Sequence, residues 1–149
     1  MSGRLVGAVL GIDPGTRKCG YAAVAAARAT PLELGIVPTE ELAERLAELA
    51  ARLPLRAVAL GGGTHTGAVA SLLGALGVPV HVIDERDTTL LARRRYFEVN
   101  PPSGWRKLVP RGMLLPPRPI DDFAALLIAE RLLEREQAAL GGLPGRPPE

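Results

Sequence analysis

The residues of this chain best suited to chemistry are acidic and fall in three short groups: Asp13, the pair Asp84-Glu85, and the pair Asp121-Asp122. Asp13 ends an apolar run (Leu5, Val6, Ala8, Val9, Leu10, Ile12) and precedes Pro14-Gly15-Thr16. That order predicts a buried strand delivering one acid to a tight turn, with a second apolar run, Tyr21 to Ala27, returning antiparallel. Asp84-Glu85 follows the apolar stretch Val80-His-Val-Ile83, and Asp121-Asp122 opens a helical pattern entered through Phe123, Ala124, Leu126 and Leu127. A carboxylate at the end of a buried strand is costly unless it is paired or binds a cation. Three such groups meeting at one sheet edge would repel unless divalent cations neutralise them. With one cysteine, Cys19, and two histidines the ligands would all be oxygens, which favours Mg2+ or Mn2+. Each group also has a simpler reading. Asp13 can cap its turn, Asp121 can be an N-cap approached through Pro119-Ile120, and Asp84-Glu85-Arg86-Asp87 can be a polar loop ahead of a cap at Thr88 or Thr89.

The elements that must position these acids follow from periodicity. Leu32 to Val37 reads as a third strand, and Thr39 with Glu40 and Glu41 as a helix start. Leu42, Leu46, Leu49 and Leu53 then fall at helical spacing, with Glu41/Arg45 and Glu48/Arg52 as i,i+4 pairs and Pro54 closing the helix. Ala57 to Leu60 is a buried strand ending in Gly61-Gly-Gly63, followed by a short helix marked by Val69, Leu72, Leu73 and Leu76 and a strand at Val78 to Ile83. A helix near Thr89 to Phe97, a loop, and a last helix from about Asp121 to Leu140 complete the order. Such alternation predicts an α/β fold, a mixed five-stranded sheet with helices on both faces, in which the first strand is central and the tips of its parallel neighbours point to one edge. The expected organisation is one domain over residues 1 to 140 and a disordered Gly/Pro-rich tail over 141 to 149.

At 149 residues and 47% apolar composition, the chain is sized for one core. No apolar run approaches the length of a membrane span, and the N-terminal residues lack the pattern of a secretory signal, so a cytoplasmic protein with no membrane partner is expected. Charge is unevenly spread. Residues 86 to 118 carry 8 basic and 2 acidic side chains, against 7 and 8 in residues 1 to 85 and 3 and 6 in residues 119 to 149. A basic segment beside a neutral or acidic body suits a phosphate backbone, although a solvated arginine face has the same composition.

Three motifs carry a resemblance. Gly11-Ile-Asp-Pro-Gly-Thr-Arg-Lys-Cys-Gly20, Asp84-Glu-Arg-Asp-Thr-Thr89 and Ile120-Asp-Asp-Phe-Ala-Ala125 resemble, in order, the signatures of the YqgF/RuvX family, which belongs with RuvC among the RNase H-like nucleases. The likeness spans almost the whole chain. It implies an RNase H-like fold and a metal-dependent nuclease, either a Holliday junction resolvase or a nuclease for the 5′ end of 16S ribosomal RNA. It also implies Asp13, Glu85 and Asp121 as catalytic metal ligands, with Asp84 and Asp122 as secondary candidates. Two departures stand out. The fourth strand is followed by Gly61-Gly-Gly-Thr-His-Thr-Gly67, without the acid that RuvC carries near that strand, and the loop from Asn100 to Pro119 has an unusual proline-rich form.

The chemistry implied is phosphodiester hydrolysis with two divalent ions, Asp13 bridging them, and no protein nucleophile. Candidate nucleic-acid contacts are Thr16, Arg17 and Lys18 on the first turn, Arg93, Arg94 and Arg95 on the helix after Glu85, and Trp105, Arg106, Lys107, Arg111 and Arg118 in the following loop. Basic groups would position the backbone and Trp105 could stack on an unpaired base, or instead anchor its loop. His65 is a weaker phosphate candidate, while Cys19, Tyr96 and Phe97 read as packing residues. The substrate would be branched DNA or structured or single-stranded RNA, cut by a monomer or a homodimer. Two other classes share these features: a catalytically silent RNase H-like nucleic-acid-binding module, and an actin-like ATP-binding protein, suggested by the Asp-x-Gly-Thr turn.

Overall fold

A computed structural model describes residues 7–63, 66–110 and 113–141. His65, Arg111 and residues 142–149 of the expected tail lie outside the described residues. Strands β1 (Ala8–Asp13), β2 (Lys18–Val24) and β3 (Glu33–Pro38) form an antiparallel meander, and β4 (Leu55–Gly62) and β5 (Val80–Asp84) extend it on the other side of β1 with parallel pairing. The order across the sheet is β3-β2-β1-β4-β5. The central first strand, the mixed five-stranded sheet and the helical layers on both faces are as the sequence predicts. Helices α1 (Leu42–Arg52) and α2 (Thr66–Leu73) cover one face, and α3 (Thr88–Val99) and α4 (Asp121–Gly141) the other.

The two faces differ in bulk. On the α1/α2 side the sheet presents Leu10, Ile12, Tyr21, Val58 and Leu60, all buried. On the α4 side the alternate positions of the same strands are Val9 and Val24 at one end and then Gly11, Gly20, Ala22, Ala57, Ala59 and Gly61, small residues toward the tip that carries Asp13. A strand alternates its side chains between faces, so this sorting of large from small fixes the distance at which each helix can pack. Helix α4 comes close enough that a Cβ on Gly11 would lie 2.1 Å from the Ala125 carbonyl oxygen. One on Gly20 would lie 2.0 Å from that of Asp121. The glycines are therefore a slot into which α4 is lowered.

Local differences from expectation have physical causes. Thr39 begins a 3-10 turn (Thr39–Glu41) rather than capping α1, because its hydroxyl donates to the Gly15 carbonyl at 2.9 Å and ties the exit of β3 to the turn after Asp13. The expected Glu41/Arg45 and Glu48/Arg52 pairs give way to others. Arg45 reaches Glu48 at 3.2 Å and donates to the Tyr21 hydroxyl, and Arg52 reaches Glu33 at 2.9 Å. Tyr21 and Glu33, hydrogen bonded to each other across β2 and β3, present acceptors that neighbours on the helix cannot match. In α2, Val69 and Leu73 turn inward while Leu72 remains exposed.

The far end of α4 is pinned to the sheet by a two-bond pair, Arg56 Nη1 to Glu136 Oε2 at 3.0 Å and Nη2 to Oε1 at 2.7 Å. The Arg56 hydrogen bonds hold the Glu136 carboxyl below its ordinary value of 4.5, against an opposing effect of burial. A depressed carboxylate contributes stability above its unfolded value and loses it as the pH falls through its folded value. Glu136→Gln should therefore cost about 1 kcal/mol at pH 7, and the gap from wild type in chemical-denaturation curves should close as the pH is lowered below 4.5.

Candidate active site

Asp13 is the last residue of β1 and pairs across the ladder with Gly20 on β2, so both face α4. The first turn of α4 rests on Gly20, which brings Asp121 over the tip of β1. Glu85 follows β5, two strands away, and bends back toward β4. A Cβ on Gly61 would lie 2.9 Å from the Glu85 carboxyl carbon, and one on Gly63 would lie 2.5 Å from Glu85 Oε2. The missing acid at the end of β4 thus has a structural counterpart, since the bare Gly61 to Gly63 segment is the bed on which the Glu85 carboxylate lies.

The electrostatics of Asp13 record this convergence. Its carboxyl is pushed from the ordinary 3.8 up to about 7, first by burial, then by the negative charges of Glu85 and Asp121 and by a hydrogen bond with Glu85. The charge of Lys18 works in the opposite direction. Lys18 Nζ stands 3.5 Å from Asp121 Oδ2. Glu85 and Asp121 thus both bear on Asp13, and Asp121 does so from the lysine's side. Among the described residues no three Asp, Glu, His or Cys side chains stand close enough together, as they are, to hold a metal ion.

Asp84 and Asp122 are placed elsewhere. Asp84 is exposed, accepts the Arg86 backbone N–H at 2.9 Å and pairs with the Arg86 guanidinium at 3.2 Å. Asp122 is buried, accepts the Phe123 N–H at 2.9 Å and pairs with Arg118 at 3.3 Å. Arg118 in turn lies over the rings of Tyr96 and Phe123, so its charge is committed to the fold. The Arg93-Arg94-Arg95 run also divides. Arg94 is exposed and Arg93 half-buried, but Arg95 turns into the core and grips the buried Glu130 through two hydrogen bonds, 3.0 and 2.8 Å long. Arg95 is thereby removed from any phosphate surface.

Thr16 and Arg17, on the turn after Asp13, and Lys18, the first residue of β2, are exposed. The loop after α3 carries a short 3-10 segment (Gly104–Leu108) with Trp105 73% exposed and Lys107 exposed. Trp105 does not anchor its loop. Arg106, half-buried, supplies the tie by donating to the Leu115 carbonyl at 2.7 Å and lying over Phe97. Cys19, Tyr96 and Phe97 are buried, as expected of packing residues.

One residue with a place in the site escapes sequence reasoning. Arg131, on α4, donates to the backbone carbonyls of Asp84 and Arg86, the two residues flanking Glu85. It lies ten positions beyond Asp121, three turns along the helix, and its partners are more than forty residues earlier, so no local spacing points to it.

The sheet order and the helical layers are those of the RNase H-like fold. Among solved structures the chain is similar to Thermus thermophilus RuvC in complex with its Holliday junction substrate, with 25% sequence identity, a TM-score of 0.60, and coverage of 90% of this chain and 96% of that one. A second structure of T. thermophilus RuvC aligns over the same shares of both chains at 23% identity and a TM-score of 0.55. No protein-family model and no curated protein matches the sequence.

Proposed function

We propose that this protein is a divalent-cation-dependent nuclease that hydrolyses phosphodiester bonds in branched or structured nucleic acid. The observation that carries the reading is Asp13, a carboxyl on the central strand crowded by Glu85 and Asp121 at the edge where three parallel strands end. The donor set fits hard divalent cations such as Mg2+ or Mn2+: three carboxylates with no soft ligand, one of them pushed toward neutrality by burial and by the charges of the other two. Such a cation, when bound, would neutralise the carboxylates and supply the Lewis acidity that activates water and stabilises the leaving oxygen.

The chain's own residues do the rest. Asp13 is held by the sheet, Glu85 by the Gly61 to Gly63 bed and the Arg131 clamp, and Asp121 by the seat of α4 on Gly20. Arg17 on the adjoining turn and Lys18 at the start of β2, with Arg93, Arg94 and Lys107 farther out, position the phosphate backbone, and the exposed Trp105 offers a stacking face for an unpaired base. Likeness to a RuvC solved with a Holliday junction supports a four-way junction as substrate. The resemblance of Asp84-Glu-Arg-Asp-Thr-Thr89 to a YqgF/RuvX signature supports ribosomal RNA processing instead.

Cleavage of labelled four-way DNA junction, duplex DNA and single-stranded RNA, each with Mg2+ or Mn2+ and with chelator, tests the proposal. Metal-dependent cutting is expected, and the preferred substrate decides between the two roles. Absence of cutting on all three, with binding retained, would leave the silent binding module. Arg131→Gln should lower cleavage about 10- to 100-fold by loosening the Glu85 backbone, with partial recovery in Arg131→Lys and a midpoint of unfolding close to wild type. An unchanged rate would remove Arg131 from the site.

A further inference from the structure

Asp121 is held by a cation that the protein itself supplies. Lys18 opens β2 two residues before Gly20, so its side chain leaves the sheet on the face shared by Gly20, Asp13 and the first turn of α4. Its ammonium pairs with Asp121 at 3.5 Å, and both side chains are partly open to solvent, 48% and 30% exposed. The Glu85 carboxylate lies over Gly61 and Gly63 at the tip of β4, yet among the described residues the three carboxylates do not close to ligand separation. A monovalent charge thus stands where neutralisation is needed, and it engages the carboxylate that a divalent ion would have to recruit. Two cations competing for one carboxylate oxygen a few ångströms apart repel strongly at the dielectric of a protein surface.

We propose that Lys18 is a displaceable internal counter-cation, which holds Asp121 in the metal-free protein and must release it before a divalent ion can draw Asp121 in beside Asp13 and Glu85. This rests on the metal-dependent reading above and deepens it. The lysine sets divalent affinity lower than the carboxylates alone would give. Once released, the same ammonium faces the turn that approaches phosphate, so phosphate capture and divalent binding favour one another, and the coupling is equal in both directions.

Thermal unfolding of the full chain, stripped with chelator and titrated with MnCl2, tests this without reference to cleavage. Wild type should gain stability with a definable half-saturating concentration. Lys18→Met should start from a lower midpoint in the absence of metal and half-saturate at about tenfold lower MnCl2. Lys18→Arg, which keeps the charge, should half-saturate at or above the wild-type concentration. Equal or weaker MnCl2 binding by Lys18→Met would overturn the role of Lys18 while leaving the metal site standing. Absence of any MnCl2-dependent gain in wild type and both variants would overturn the metal reading, and this inference with it.

Discussion

Asp13→Asn should abolish metal-dependent cleavage and at the same time make the metal-free protein harder to unfold at pH 8. Both effects come from one cause. The Asp13 carboxyl sits at about 7 because burial and the charges of Glu85 and Asp121 disfavour its ionised form. A carboxyl raised in the folded state contributes stability that is fully present below its unfolded value, near 3.8, and is lost as the pH rises through about 7. Above pH 7 the metal-free site therefore bears the cost of a buried charge and of its repulsion by Glu85 and Asp121, which a neutral amide of the same shape relieves. A shift of about three units corresponds to about 4 kcal/mol at full strength, and solvent at this partly open edge reduces that to about 2 kcal/mol. For a chain of this size the midpoint of unfolding should rise by about 4 to 8 °C at pH 8 and by much less at pH 5. Cleavage should fall by at least about 10³-fold, the scale on which removal of a central electrostatic group acts. A variant that loses stability at pH 8, or one that cuts at the wild-type rate, would show that the crowded carboxyl is not where function and stability are opposed.

Gly20→Ala should damage both stability and cleavage, through geometry rather than charge. The added methyl carbon would lie 2.0 Å from the Asp121 carbonyl oxygen, 2.2 Å from its carbon and 2.8 Å from the Asp122 nitrogen, all of them backbone atoms that no rotamer change can move. Helix α4 must lift, which costs about 3 kcal/mol by overpacking and carries Asp121 away from Asp13. Misplacement of a reacting group by about 1 Å costs about 10²-fold in rate, so cleavage measured well below the unfolding midpoint should fall further than the folded fraction does. Gly11→Ala, with its methyl 2.1 Å from the Ala125 carbonyl, should cost similar stability but displace Asp121 less, because it presses one turn farther along. Gly67→Ala provides the contrast. It lies inside α2, with nothing described within 4 Å of the added carbon, and should stabilise by about 0.5 kcal/mol. Equal tolerance of all three substitutions would refute the slot.

The sequence reveals the acids more readily than the groups that serve them. Asp13 is legible because a strand-length apolar run stops at it and Pro14-Gly15 turns the chain. The first turn of α4 is legible because apolar residues enter at helical spacing right after Asp121-Asp122. These are local patterns, set by neighbours a few residues away. The two arginines misassigned to a basic surface fail for the opposite reason. Arg95 and Arg118 belong to a strongly basic segment, and only the packing of α3 on α4 brings Glu130 against the first and the two rings against the second. Arg131 is invisible for the same reason, since its acceptors are main-chain carbonyls without any side-chain signature. The small-residue face was present as Gly11, Gly20 and Gly61 alternating with Ile12, Tyr21 and Leu60. It acquires meaning only once β1, β2 and β4 lie side by side.

The slot has a consequence for the order in which this molecule is made. The strands that line it are all complete by residue 62, whereas the helix that fills it starts at Asp121 and is the last of the described elements to leave the ribosome. Until then the glycine and alanine face of the sheet has no cover, and Asp13 has no Asp121 beside it. Pairings this distant along the chain form late in folding. A growing chain would carry Asp13, and later Glu85, without a finished centre until α4 is made, and the proposed centre would be completed in one step, when α4 docks.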